Sequence, residues 1–226
     1  MEGIIMKVEI HTLAWPNTHP DLLNSHRQVC QHFELNVNYT LEQIPPGPWM
    51  DQVMHNSTAD VVAFLDVDCV PTNRQVIDNT IAWTVNNRSF VGIAQVSNHI
   101  NPKSHIWAAP AFLFIWRDTW KAMQCPTLSE THNSDIAENL SHTAEIMDVR
   151  YKALYPTHWT IAPDGGSIPW KLHNYGWYGI GTHYEGGVFH LYQGRTARHV
   201  ELFSNRCNDI IAGKFTTEGM RNCRDF

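Results

Sequence analysis

The sequence predicts an α/β fold with a mixed, mostly parallel, Rossmann-type sheet flanked by helices, and two observations carry that prediction. Strand-like and helix-like periodicities alternate as β-α-β-α-β before residue 70, the order that builds parallel strands joined by crossover helices. The last strand of that series, Val61 to Leu65, is five consecutive apolar residues, the pattern of a strand covered on both faces. With 226 residues, 43% of them hydrophobic, the chain is long enough for a single domain with a sizeable core.

The elements follow in order. Lys7 to Leu13 alternates toward a first strand. Thr18 is placed to cap a helix from about Pro20 to Phe33, whose Leu22, Leu23, Val29, Cys30 and Phe33 share a face. Leu35 to Leu41 alternates strictly and reads as a half-exposed strand; Pro45 to Pro48 reads as a loop and Trp49 to Asn56 as a short helix. After the buried strand, Arg74 to Asn87 reads as a helix, Phe90 to Val96 and Ala111 to Trp116 as strands, and a short helix begins near Thr119. From Ser134, the residues Ile136, Leu140, Ala144, Met147, Tyr151 and Leu154 keep 3-4 spacing, which predicts one long helix of five turns. Pro156 to Glu185, rich in Gly, Trp, Tyr and His, reads mostly as loop. Gly187 to Tyr192 reads as a short strand and Val200 to Ala212 as a helix with Phe203, Cys207 and Ile210 on one face. The expected organisation is one domain over 1–226: a first half of about 7–96, a second of about 105–200, and a C-terminal helix and tail over 200–226.

Composition excludes several classes. The net charge is −6 and no block of Lys or Arg stands out, so the electrostatic footprint of a nucleic-acid binder is absent. Five cysteines at scattered spacings, without a C-x-x-C, do not form a disulfide framework, and a reducing compartment is expected. The N-terminus, Met1 to Lys7, lacks a signal-peptide profile, and no apolar run approaches a membrane span, so a soluble, cytoplasmic protein is expected.

The chemistry begins where the buried strand ends. Asp66 and Asp68 follow it at i and i+2, at the carboxyl end where ligands bind in open α/β sheets. Two carboxylates there suit a hard divalent cation that keeps water or phosphate oxygens in its other positions; the alternative is one Asp capping the turn and the other simply solvated. His190, in its short strand, is either a ligand or a core histidine, with His183 as a reserve ligand. Asp135 and Glu138, at the expected helix start, are either reactive acids or compensation for the helix dipole.

The string Phe64-Leu-Asp-Val-Asp68, the helix start Ser134-Asp-Ile-Ala-Glu138 and the late segment Val188-Phe-His-Leu-Tyr-Gln-Gly-Arg195, in that order over roughly residues 7 to 200, resemble a GT-A-fold, metal-dependent glycosyltransferase. That resemblance implies a GT-A-like sheet whose first half binds a nucleotide-sugar, such as a UDP-sugar, and whose second half receives a hydroxyl acceptor. It implies Mn2+ or Mg2+ held by Asp66, Asp68 and His190 against the donor diphosphate. It further implies nucleoside contacts from Thr12 and Trp15, steadying of the leaving diphosphate by Arg195 (or Arg198), and a catalytic base at Asp135 or Glu138. The acceptor class stays open among glycan, small molecule, protein and modified nucleic acid. Many members carry adjacent acids where this chain has Asp-Ile-Ala-Glu.

Two rival readings share the same residues. Asp66-Val-Asp-Cys-Val70 also fits the nucleophile motif of haloacid-dehalogenase-like phosphohydrolases, although that family carries it on the first strand and needs a later acidic pair. A non-catalytic nucleotide-sugar-binding domain is the other.

Overall fold

The computed structural model describes residues 6–97, 105–160, 169–192, 194 and 197–225. Its main sheet has six strands. The first three are β1 (Val8–Leu13), β2 (Val37–Thr40) and β3 (Val61–Leu65), mutually parallel in the order β2-β1-β3 and connected through α1 (Pro20–His32) and α2 (Pro46–Asn56). After β3 the chain enters β4 (Cys69–Pro71), which belongs to a different sheet, and then α3 (Arg74–Asn87), β5 (Phe90–Val96), β6 (Ile106–Trp116), α4 (Arg117–Ala122), α5 (Glu138–Ile146) and β7 (Lys152–Leu154). β6 lies between β3 and β5 and runs antiparallel to both, while β7 pairs in parallel on β5. Five of the six strands therefore point the same way, the mostly parallel mixed sheet expected.

Every residue of β3 is buried. Its Val61, Phe64 and Leu65, with Phe112 and Phe114 of β6 and Ile93 of β5, form the centre of the core, each side chain stabilising the fold by about 1.5–3 kcal/mol. α3 packs across β3, β5 and β6. It begins at Asn73, whose side chain accepts a hydrogen bond from the Val76 N–H, and stops at Arg88, which takes a left-handed conformation at φ 46°.

A second, antiparallel sheet is built from very short strands: β4, β8 (Pro156–Trp159), β11 (Thr182–Tyr184), β12 (Val188–His190) and β13 (Arg221–Asn222), in the order β13-β8-β11-β12-β4. Between β8 and β11, β9 (Trp170–Lys171) and β10 (Trp177–Tyr178) form a two-stranded ladder. A smaller core joins this sheet to α1 and the last helix, α6 (Ala197–Ile211), through Leu22, Val29, Val70, Phe189, Phe203 and Ile210.

Several elements differ from the sequence expectation. α1 is capped by His19, whose Nδ1 accepts from the Asp21 N–H at 3.2 Å, and not by Thr18. Pro46 to Pro48 open α2 instead of forming a loop, since proline in a first helical turn forfeits no hydrogen bond. β6 continues N-terminally through Pro110 to Ile106. The long helix from Ser134 to Leu154 is only the nine residues of α5: Asp148 at φ 55° turns the chain and the Val149 N–H closes onto the Ala144 carbonyl at 2.7 Å. The apolar residues beyond that turn keep their spacing for other reasons. Tyr151 stacks on Phe90 with ring centroids 4.9 Å apart, and Leu154 is buried in β7. The expected loop from Pro156 to Glu185 contains β8 to β11. Among the described residues no helix is long and apolar enough to cross a membrane.

Candidate functional site

Asp66 and Asp68 occupy the crossing point between the two sheets. At the end of β3 the Asp66 N–H donates to the Ala111 carbonyl of β6 at 2.9 Å, the last tie to the main sheet. The Cys69 N–H then returns to the Asp66 carbonyl at 2.9 Å, closing a four-residue turn that redirects the chain into β4. Both carboxylates are thus held at a carboxyl edge by backbone geometry.

The second sheet brings the histidine to them. β12 pairs antiparallel with β4 so that His190 stands opposite Cys69, and the Leu191 N–H donates to the Asp68 carbonyl at 2.9 Å. This places His190 Nε2 3.4 Å from Asp68 Oδ1. One ligand-type atom from each of Asp66, Asp68 and His190 lies within 4.8 Å of the others. His190 is 5% exposed, and its Nδ1 is buried without a hydrogen-bond partner. The Gly194 N–H donates to Asp68 Oδ2 at 3.3 Å, and a Cβ at Gly194 would come within 2.7 Å of that oxygen, so a side chain there would displace Asp68.

The electrostatics follow from crowding two acids. Asp66 is pushed up to about 6, by removal from bulk water and by the Asp68 charge, with His190 opposing. As a residue, Asp66 is open to the cleft; solvation there weakens the burial contribution, and repulsion from Asp68 is the cause that persists. Burial pushes Asp68 up as well, but the hydrogen bond and charge of His190, with the Gly194 N–H, bring it below the ordinary carboxylate range. Like charges held together in this way are what a divalent cation relieves, and two carboxylate oxygens with one imidazole nitrogen fit Mn2+ or Mg2+ with coordination positions left over.

These residues sit in a cleft of about 620 Å³, within the range of small-molecule sites. Trp15, Leu22, Trp49, Gln95, Ile136 and Tyr192 are among the residues that line it. Trp15 is fixed by its indole N–H, which donates to the Ile44 carbonyl at 2.9 Å. Thr12 is wholly buried within β1 and does not line the cleft. Arg195 lies outside the described residues, as does the side chain of Arg198.

Asp135 is half-buried just before α5, next to cleft-lining Ile136, and its Oδ1 accepts from the Ile136 N–H at 2.9 Å. Glu138 is the first residue of α5 and is fully buried. Its Oε2 accepts from Ser97 Oγ at 3.0 Å and from the Asp135 N–H at 2.7 Å, and its Oε1 is 2.7 Å from His105 Nδ1. Burial alone raises the Glu138 pKa; the His105 hydrogen bond and the other donors outweigh it and leave the carboxyl below its ordinary value.

Two further cleft residues, Gln95 and Tyr192, were given no role from sequence. Gln95 Nε2 donates to Tyr192 Oη at 2.9 Å, and the Tyr192 and Tyr184 hydroxyls are in hydrogen-bond contact. The Tyr192 ring lies 3.8 Å from that of His190 and 5.4 Å from that of Trp170. The available signal was the aromatic density around Trp170 to Tyr192.

His183 is elsewhere. In β11 its Nδ1 is bonded to Thr157 Oγ1 at 2.8 Å and its ring packs on Phe215. Burial, aided by nearby His158, pulls it down to about 4. Unfolding restores a histidine near 6.5, which takes up a proton that the folded chain refuses. Its contribution is therefore complete above about pH 6.5 and is lost as pH falls toward 4, by an amount on the order of 3 kcal/mol at most. Melting at pH 7.5 and 4.5 should show a smaller acid loss for His183→Gln than for the parent; equal losses would remove His183 from the acid response.

No protein-family model and no curated protein matches the chain. Solved structures do. A mannosyltransferase from Pyrobaculum calidifontis, in complex with GDP-Man and Mn2+, is similar at 10% identity and a TM-score of 0.46, over 66% of this chain and 55% of that one. A 4-diphosphocytidyl-2C-methyl-D-erythritol synthase from Anaerococcus prevotii is similar at 11% identity and 0.43, over 66% and 87%. A Drosophila β-1,4-galactosyltransferase 7 variant, in complex with manganese, UDP-Gal and xylobiose, is similar at 14% identity and 0.38, over 64% of each chain. The match thus spans about half the length of the mannosyltransferase. The chemistry of the site rests on its own residues.

Proposed function

We propose that this chain is a metal-dependent glycosyltransferase that moves a sugar from a nucleotide-sugar, a UDP-sugar by preference, to a hydroxyl acceptor. The observation that carries the reading is the convergence of Asp66, Asp68 and His190 on the floor of a cleft at the carboxyl edge of β3, beside an indole at Trp15. Asp66, Asp68 and His190 would hold Mn2+ or Mg2+, which supplies Lewis-acid stabilisation of the charge that grows on a departing diphosphate.

The remaining roles belong to the chain's own groups. Trp15 offers a flat apolar face to the nucleoside base. Arg195, in the segment after β12, is assigned to the diphosphate. Asp135 takes the proton from the acceptor hydroxyl, and Glu138, whose carboxylate grips the Asp135 N–H, positions it. In this reading residues 7–96 form the donor half of a single domain, 105–200 the acceptor half, and 200–226 a C-terminal helix and tail.

The test is product analysis with UDP-sugars and Mn2+. A glycosyltransferase releases UDP and free sugar slowly without an acceptor; a phosphohydrolase instead turns over an aryl phosphate, a nucleotidyltransferase releases pyrophosphate from a nucleoside triphosphate and sugar phosphate, and a binding domain does none of these. Release of UDP that persists without divalent metal would overturn the proposal.

His190 gives a more local check. His190→Ala should weaken Mn2+ and UDP binding together by at least about 10–100-fold, the loss seen when even an outer partner of a metal ligand is removed. A variant that melts earlier but binds both normally while folded would assign His190 to the core alone.

A further inference from the structure

A second cluster of ligand-type atoms lies where α5 meets the start of β6. Glu138 and His142 are one turn apart on α5, so their side chains share a face, and His105 comes from the segment entering β6. His105 Nδ1 is 2.7 Å and His142 Nε2 3.5 Å from the same oxygen, Glu138 Oε1, and the three groups each offer an atom within 4.8 Å of the others. The two imidazole rings face each other, with centroids 4.0 Å apart and planes inclined by 16°.

The surroundings match those of a metal site. Glu138 Oε2 is already occupied by Ser97 Oγ and the Asp135 N–H, which leaves Oε1 as the oxygen directed at the imidazoles. On the other edge of the His105 ring, Nε2 lies 3.0 Å from Glu145 Oε1, which also accepts from Tyr151 Oη at 2.7 Å. A metal-bound histidine characteristically gives its second N–H to a carboxylate in this way. His142 Nε2 is buried without a hydrogen-bond partner, although it points at the carboxylate.

We propose that His105 Nδ1, His142 Nε2 and Glu138 Oε1 bind a transition-metal ion of the zinc class, at a site distinct from Asp66, Asp68 and His190. The donor set makes the choice of metal: two imidazoles and one carboxylate suit Zn2+, Co2+ or Ni2+, whereas the carboxylate-rich first site suits Mn2+ or Mg2+. Tetrahedral ligands about 2.0–2.1 Å from zinc stand roughly 3.4 Å apart, close to the 3.5 Å between His142 Nε2 and Glu138 Oε1. His105 must give up its Nδ1 proton to solvent and draw back from Glu138 Oε1 by about 0.7 Å, from 2.7 Å to the tetrahedral separation. The two rings must also turn out of their stack so that lone pairs lying in the ring planes meet at one ion. Binding therefore releases a proton. A fourth position remains for water.

The experiment uses the full chain carrying Asp66→Asn and Asp68→Asn, which removes the carboxylates of the first site, and titrates it with Zn2+ by calorimetry. One Zn2+ should bind with a Kd in the micromolar range or below, and buffers of different ionisation enthalpy should show proton release. Adding His142→Gln, which keeps the chain's polarity at a partly exposed position, should weaken binding by more than about 100-fold, and adding Glu145→Gln by about 10–100-fold. Co2+ should give the visible absorption of a four-coordinate ion in the chain carrying Asp66→Asn and Asp68→Asn and lose it when His142→Gln is added, with far-UV circular dichroism unchanged. No binding up to about 100 μM Zn2+, or equal binding with and without His142, would overturn the site and leave a stacked, hydrogen-bonded histidine pair. Because no sugar nucleotide enters the measurement, its outcome is independent of the glycosyltransferase reading.

Discussion

Asp68→Ala and Asp66→Ala should each abolish Mn2+-dependent release of UDP from a UDP-sugar while the chain stays folded. Neither carboxylate supports the core: Asp66 opens to the cleft and Asp68 is half-buried, whereas the apolar residues that hold the turn, Leu65 and Cys69, are untouched. Removing either acid also removes a repulsion, since part of what raises the Asp66 pKa is the Asp68 charge. Melting temperature should therefore stay level or rise slightly in Asp66→Ala and fall in Asp68→Ala, whose carboxylate is favoured by His190 and the Gly194 N–H. Mn2+ affinity should fall by more than about 100-fold in each, beyond the loss from an outer partner. Asp68→Ala should be the more damaging, because Asp68 also meets His190 and the Gly194 N–H. Excess chelator should silence the parent and added Mn2+ restore it. Full turnover in chelator, or in both variants, would end the metal-dependent mechanism.

What was legible in the sequence was legible for local reasons. The apolar run of β3 and the acids after it announce a buried strand delivering charge to a sheet edge, and α3 and β5 begin and end at the residues that periodicity indicates. The meeting of His190 with Asp68 was not legible as geometry. It depends on a three-residue pairing between β12 and β4, strands too short to show alternation, joining segments on opposite sides of most of the chain. The single long helix from Ser134 failed because 3-4 spacing records burial, not continuity. Ala144 is buried from a helix, Tyr151 is partly covered by stacking on Phe90 and Leu154 is buried from a strand, and a turn at Asp148 that the spacing does not register separates the first from the others. That shorter helix changes the expected site: Asp135 leaves the helix start for the turn before it, and Glu138 becomes the first helical residue, enclosed and fully hydrogen-bonded.

Asp135→Asn and Glu138→Gln should consequently fail in different ways. Asp135 is half-buried beside a cleft residue, and its replacement by Asn keeps the size and the acceptor for the Ile136 N–H. A general base contributes typically ~10²–10⁴-fold, so sugar transfer should fall by that order with UDP-sugar affinity and melting temperature nearly unchanged. Glu138 cannot play the same part, because its oxygens accept from Ser97, the Asp135 N–H and His105. Glu138→Gln puts an amide N–H₂ either where Ser97 Oγ and the Asp135 N–H converge, leaving the backbone donor unpaired, or against His105 Nδ1, which must then surrender its proton. The expected cost is about 1–3 kcal/mol of stability for the unsatisfied group, seen as a lower melting temperature. A smaller fall in transfer rate should accompany it as Asp135 loses its backbone anchor. Rate, donor affinity and melting temperature measured on both variants separate the roles. Near-normal transfer by Asp135→Asn would remove it as the base, and a large rate loss in Glu138→Gln without thermal loss would move the reacting proton to Glu138.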